Sequence, residues 1–131
     1  MTDDVRGSSP FGYGLHHVQL AIRPASEDRA RAFYVDVLGM TEVAKPPELA
    51  KRGGLWLRTD ALEIHLGVDP GHIPAQKAHP GVLVADLDAL AAHLKGAGHE
   101  VVWDTEFIGY RRFYSRDPFG NRLEFLSPLG D

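Results

Sequence analysis

An α+β fold of two βαβββ modules, forming a cup-shaped mixed sheet with helices on its outer face, is predicted by three observations. Two stretches of alternating apolar residues each lead into an amphipathic helical pattern and then into three further short strands. Landmarks of the two stretches recur at a spacing of about 60 positions: His17 with His79, Gly39 with Gly98, and Glu63 with Glu124. A chain of 131 residues, 44% hydrophobic and without cysteine, makes one domain whose core stands without disulfides.

Residues 1–13 read as a flexible leader of small polar residues, and residues 14–131 as the folded domain. The first module covers about 15–67. Val18, Leu20 and Ile22 alternate along a strand that Pro24 ends. Ser26 is placed to cap the helix that follows, with Glu27 and Asp28 in its first turn. Ala30, Phe33, Tyr34, Val37 and Leu38 fall on one helical face, closed by Gly39. Strands around 41–44, 55–58 and 62–66 complete the module, with KPPELAKRGG as a loop.

The second module covers about 78–128. Pro80, Val82 and Val84 alternate, Asp86 is placed as an N-cap, and Leu87, Leu90, Ala91 and Leu94 form the apolar stripe of a helix ended by Gly98. Strands follow near 100–103, 111–116 and 122–126. The turn DPFGN joins the last two, with Pro118 fixing φ and Gly120 and Asn121 tolerating φ > 0.

Composition excludes several classes. No apolar run is long enough to span a membrane, and the N-terminus lacks the basic start and apolar stretch of a signal peptide. A net charge of −4 without a basic stripe argues against nucleic acid. The absence of cysteine excludes a thiolate metal site, and a cytoplasmic protein is expected. Seven histidines are an excess that asks for a reason.

Strand alternation supplies one. If the apolar residues face the helices, His17, His79 and Glu124 point to the opposite face, with Glu63 and His65 beside them. Imidazole and carboxylate are the ligands of Zn, Ni, Mn, Co or Fe as divalent ions, and such a set leaves positions open for substrate. A lone histidine on a strand is ordinarily a solvated or hydrogen-bonded residue. His16, His72, His93 and His99 are read that way, whereas the shared phase singles out His17, His79 and Glu124. Internal symmetry favours Glu63 as the fourth ligand and the affinity of imidazole favours His65, which is preferred. Glu124, or whichever of Glu63 and His65 is free, is the candidate to move a proton. In GYRRFYSRDPFGNRLEF, Arg111, Arg112 and Tyr114, next to Tyr110, are candidates to bind an anionic or aromatic substrate, although solvated arginines on strands are common.

The segments LHHVQLAI, RARAFYVDVLGM, AHPGVLVADLDALAAHLKGAG and FYSRDPFGNRLEFLSP, in this order, resemble the vicinal oxygen chelate superfamily. Glyoxalase I, fosfomycin-resistance transferases, extradiol dioxygenases and bleomycin-resistance proteins belong to it. The resemblance runs from about Leu15 to Pro128. It implies paired βαβββ modules around a divalent metal, with His17, His79 and Glu124 as ligands and a fourth from Glu63 or His65. It also implies chelation of two neighbouring substrate oxygens, and a homodimer whose site lies within one chain or between two. Counterparts of the glutathione-binding residues of glyoxalase I, and of the phosphonate-binding loop of fosfomycin transferases, are not evident. The expected activity is therefore a metal-dependent lyase or isomerase of glyoxalase type acting on a small oxygen-rich substrate. A protein that sequesters a drug or metabolite, and an Fe(II) dioxygenase, are the alternatives.

Overall fold

The computed structural model describes residues 6–130. Residues 1–5 of the leader expected at 1–13 lie outside the described residues; residues 6–13 form no helix or strand, and Phe11 and Tyr13 are exposed.

Eight strands divide into two four-stranded sheets, one per module. In the first, β1 (Val18–Ile22) lies parallel to β4 (Leu62–Val68), which pairs antiparallel with β3 (Leu55–Thr59), and β3 with β2 (Thr41–Val43). The second repeats the order β1-β4-β3-β2 as β5-β8-β7-β6, with β5 (Gly81–Leu83), β6 (Val102–Asp104), β7 (Tyr110–Arg116) and β8 (Arg122–Pro128). Each module thus has one parallel pair, reached by a helical crossover, and a meander. Identical topology in both halves agrees with the repeat read from the sequence.

The first crossover begins as α1 (Glu27–Arg31) and widens into a π-helical segment over Ala32–Val37. Ser26 precedes it without capping it: the hydroxyl donates to the Arg23 carbonyl instead. In the second crossover Asp86 does cap α3 (Leu87–Gly96), accepting from the Ala89 N–H at 3.1 Å. One short helix, α2 (Pro47–Ala50), forms inside the segment expected to be a loop, with proline in its first turn.

The core lies between the helices and the inner faces of both sheets. Ile22, Phe33, Tyr34 and Leu94 are almost wholly buried, as the strand alternation and helical stripes predicted, and Leu57, Phe113 and Leu123 join them. Full burial of each such aliphatic or aromatic side chain contributes about 1.5–3 kcal/mol.

Polar contacts tie the modules together. The turn DPFGN is organised by Asp117, which accepts from the Phe119 and Asn121 N–H groups, each at 2.9 Å. Gly120 takes φ +83° as expected, and a Cβ there would meet Pro74 at 2.7 Å. Asn121 does not adopt a positive φ. Its amide instead donates to the Ala21 carbonyl at 2.8 Å, linking the start of β8 to β1. Among the described residues no helix is long and apolar enough to cross a membrane.

Candidate metal centre

Each sheet carries one imidazole–carboxylate cluster, with the carboxylates Glu63 and Glu124 on equivalent strands, β4 and β8. On the first sheet, β4 presents Glu63 and His65 two residues apart, hence on one face. Glu63 Oε2 lies 2.7 Å from His65 Nε2, and its Oε1 accepts from Arg58 Nε at 2.9 Å. Arg58 and then His65 hold the Glu63 carboxyl down at about 2, so it is a carboxylate throughout the physiological range. The His65 ring is buried, stacked on Trp56 at 4.1 Å and on His17 at 3.8 Å. His17 immediately precedes β1, and its Nδ1 lies 2.9 Å from Nδ1 of His16. Desolvation, then the neighbouring His65 and His16 rings, keep His17 below the usual imidazole value, which favours the neutral form that ligates metal.

On the second sheet the pair is His79 and Glu124. Gly81 of β5 faces Glu124 of β8 in the parallel ladder. His79 stands just before β5 with Nε2 2.7 Å from Glu124 Oε1. Its Nδ1 lies 2.7 Å from the Lys77 carbonyl, which can only accept, so Nδ1 carries the proton. That bond turns Nε2 toward the carboxylate, the second-sphere arrangement that orients a ligating imidazole. Glu124 is itself buried, and its other oxygen accepts from Arg112 Nη1 at 3.3 Å.

The donor sets suit a borderline divalent ion: neutral or neutralisable imidazoles, carboxylates and no thiolate. Among the described residues, however, no three histidine, aspartate or glutamate side chains gather as one metal-binding group. The four strands expected to converge on one face are divided between two sheets, and the candidates form two clusters: His17, Glu63 and His65, and His79 with Glu124.

The expected substrate residues separate as well. Tyr114 lies opposite Glu124 in the β7–β8 ladder, with its ring edge-on to His79 at 5.3 Å. Arg112 is on the same face, bound to Asp104 through Nε at 2.7 Å and to Glu124. Arg111, one residue away on the strand, points to the other face. It forms a bidentate pair with Asp88 of α3 at 2.8 and 2.9 Å and lies over Trp103. It is thus not brought to the cluster, because consecutive strand residues alternate.

The remaining histidines have structural partners. His72 is buried against the Phe119 carbonyl, His93 reaches the Val37 carbonyl at 2.8 Å, and His99 packs edge-on to Phe33. Two residues near the clusters were not singled out from the sequence. Trp56 covers His65, a contact that the β3–β4 register alone would have disclosed. Arg122 stacks on Tyr114 at 4.1 Å and shares a face with Glu124 two positions on, a spacing the sequence does display.

The family profile described as the Glyoxalase/Bleomycin resistance protein/Dioxygenase superfamily matches residues 14–125. A solved structure of a Bacillus anthracis protein assigned to the glyoxalase family is 42% identical, superposes with a TM-score of 0.87, and is covered over 95% of this chain and 100% of that one. The fosfomycin resistance protein FosX from Listeria monocytogenes has a TM-score of 0.71 at 16% identity, over 89% and 94% of the two chains. Lactoylglutathione lyase from Agrobacterium tumefaciens has a TM-score of 0.63 at 21% identity, over 86% and 92%. At these lower identities the likeness is one of fold. No curated protein matches the chain. With the profile spanning most of its length and the duplicated βαβββ topology in place, the chain belongs to the Glyoxalase/Bleomycin resistance protein/Dioxygenase superfamily.

Proposed function

We propose that the protein is a metal-dependent lyase or isomerase of glyoxalase type, acting on a small oxygen-rich substrate, and that its metal site is completed by a second copy of the chain. The observation that carries this reading is an imidazole paired with a carboxylate on each of two sheets of identical topology, the carboxylates Glu63 and Glu124 standing on equivalent strands. A catalytic ion takes about three protein ligands and an open position, and neither cluster offers such a group alone. His17, His79, Glu124 and one member of the Glu63–His65 pair are the residues that hold the ion in this reading. A homodimer with a two-fold axis brings the first cluster of one copy to the second cluster of the other, twice.

A divalent ion bound there supplies Lewis-acid stabilisation of negative charge developing on a substrate oxygen. The chain's own groups do the rest. Lys77 holds His79 in its Nδ1–H form. Arg112 keeps Glu124 oriented. The carboxylate or imidazole left outside the coordination sphere moves the proton between neighbouring substrate carbons. A cysteine-free chain with this chemistry fits the cytoplasm.

Complementation tests the reading. His17→Ala and Glu124→Ala are each expected to bind no stoichiometric Zn²⁺ or Ni²⁺ by plasma mass spectrometry. Unfolded together and refolded, they are expected to regain about one site in four, because a mixed dimer contains one wild-type pair of clusters. No regained site would place all ligands in one chain, and wild type empty of every ion offered would sink the enzyme.

A further inference from the structure

We infer that Arg122 is the anchor of a carboxylate subsite, which makes the substrate a small organic acid with a short aliphatic body. A cleft of about 420 Å³ opens between β1 and the segment leading from His72 to Pro80. Its wall includes Val18, Gln19, Ile73, His79, Pro80 and Arg122. No aspartate or glutamate lines it, although the protein as a whole carries a net charge of −4. Arg122 is the only arginine or lysine among its lining residues.

Three guanidiniums lie on the neighbouring β7, and two of them are neutralised; the third, Arg116, is exposed, donates to the Gly120 carbonyl and does not line the cleft. Arg111 is held by Asp88 on the far face, and Arg112 by Asp104 and Glu124. Among the described residues no carboxylate comes within ion-pair distance of Arg122; it meets only the Lys77 carbonyl at 3.3 Å and the Tyr114 ring. Stacking on Tyr114 orients the planar fork while leaving most of its donors uncommitted. The Gln19 amide lies against Gly67 of β4, where a side chain would displace it. Between these polar groups the lining is aliphatic: Val18, Ile73 and Pro80. A half-buried, uncompensated guanidinium beside an apolar surface selects an anionic head joined to an apolar body. This inference rests on the proposed site for its meaning, because His79 stands in the same wall, and so its test is run without metal.

Metal-stripped full-length protein is titrated with butyrate and with butyramide, which differ in the charge of the head group, while backbone amide shifts are followed by NMR. Butyrate is expected to shift the amides of Val18, Ala78 and Arg122 saturably, and butyramide to bind about tenfold or more weakly. Arg122→Gln is expected to abolish the preference for the acid, Arg122→Lys to keep part of it, and Arg111→Gln to keep all of it. Equal binding of acid and amide, a preference that survives in Arg122→Gln, or no binding of butyrate at all would overturn the subsite. Zn²⁺ titration of the same Arg122→Gln protein reads the metal site separately, and there wild-type behaviour is expected.

Discussion

The Tyr34 hydroxyl donates to Asp117 Oδ2 at 2.6 Å, so a helical residue of the first module fastens the turn that launches the last strand of the second. Burial, and then the Asp117 carboxylate, push the phenol well above its ordinary value, and it remains a donor at every working pH. Tyr34→Phe is expected to destabilise the fold by about 1–3 kcal/mol, since a buried carboxylate loses one of its donors. Asp117→Ala, which orphans the Tyr34 hydroxyl and the Phe119 and Asn121 N–H groups together, is expected to cost more. Urea unfolding monitored by circular dichroism measures both, and equal stability of Tyr34→Phe and wild type would refute the argument.

A backbone argument gives a second prediction. Gly54 opens β3 at φ +83°, and a Cβ there would sit 2.0 Å from the Leu66 carbonyl oxygen. Gly54→Ala must therefore break the β3–β4 register as well as adopt a strained conformation. A loss of about 3 kcal/mol or more is expected in the same unfolding assay. A loss below about 1 kcal/mol would mean that the strand end relaxes freely.

Acid stability carries a third. Glu27 Oε2 accepts the Gly54 N–H at 2.9 Å, and this bond more than any other lowers the Glu27 carboxyl from its unfolded value of 4.5. A lowered folded-state value means stabilisation that is complete above 4.5 and is lost as the pH falls toward the folded value. Wild type should therefore lose more thermal stability than Glu27→Gln between about pH 5 and pH 3. Parallel melting curves for the two proteins would remove Glu27 from the account.

Ion binding provides the fourth. Trp56 lies flat on His65 at an interplanar angle of 7°, whereas the other tryptophan, Trp103, packs on Phe113 away from both clusters. Zn²⁺ is expected to change the emission of wild type and of Trp103→Phe, and to leave Trp56→Phe unchanged. At one hundred times its Kd, the ion should add about 2.7 kcal/mol of stability, an increment removed by chelator and absent in His79→Ala. An emission change that follows Trp103 instead would place the ion elsewhere.

Periodicity disclosed most of the architecture because burial imposes it. The alternation of Val18, Leu20 and Ile22, and the helical stripe of Leu87, Ala91 and Leu94, are statements about which side of an element meets the core. The same logic placed Glu63, His65 and Glu124 on the faces away from the core. It could not tell whether those faces belong to one sheet or two, since strand order is decided by contacts between distant segments. Arg111 illustrates the limit at one residue: its type suits an anion, but its phase delivers it to Asp88. Ser26 illustrates another, because a capping residue type was present but its hydroxyl turned to the preceding carbonyl. Trp56 was invisible for a simpler reason, as its role exists only through the β3–β4 register.

The bond from the Asn121 amide to the Ala21 carbonyl joins residues 100 positions apart, from opposite ends of a duplicated chain. Together with the Tyr34–Asp117 bond and a core built from both halves, it makes each module a part of the other's interior. Separating the halves would break both bonds and divide a core cluster that runs from Ile22 and Tyr34 to Leu94 and Phe125. The two modules thus form a single cooperative unit, so that damage to either half is felt as the melting of both.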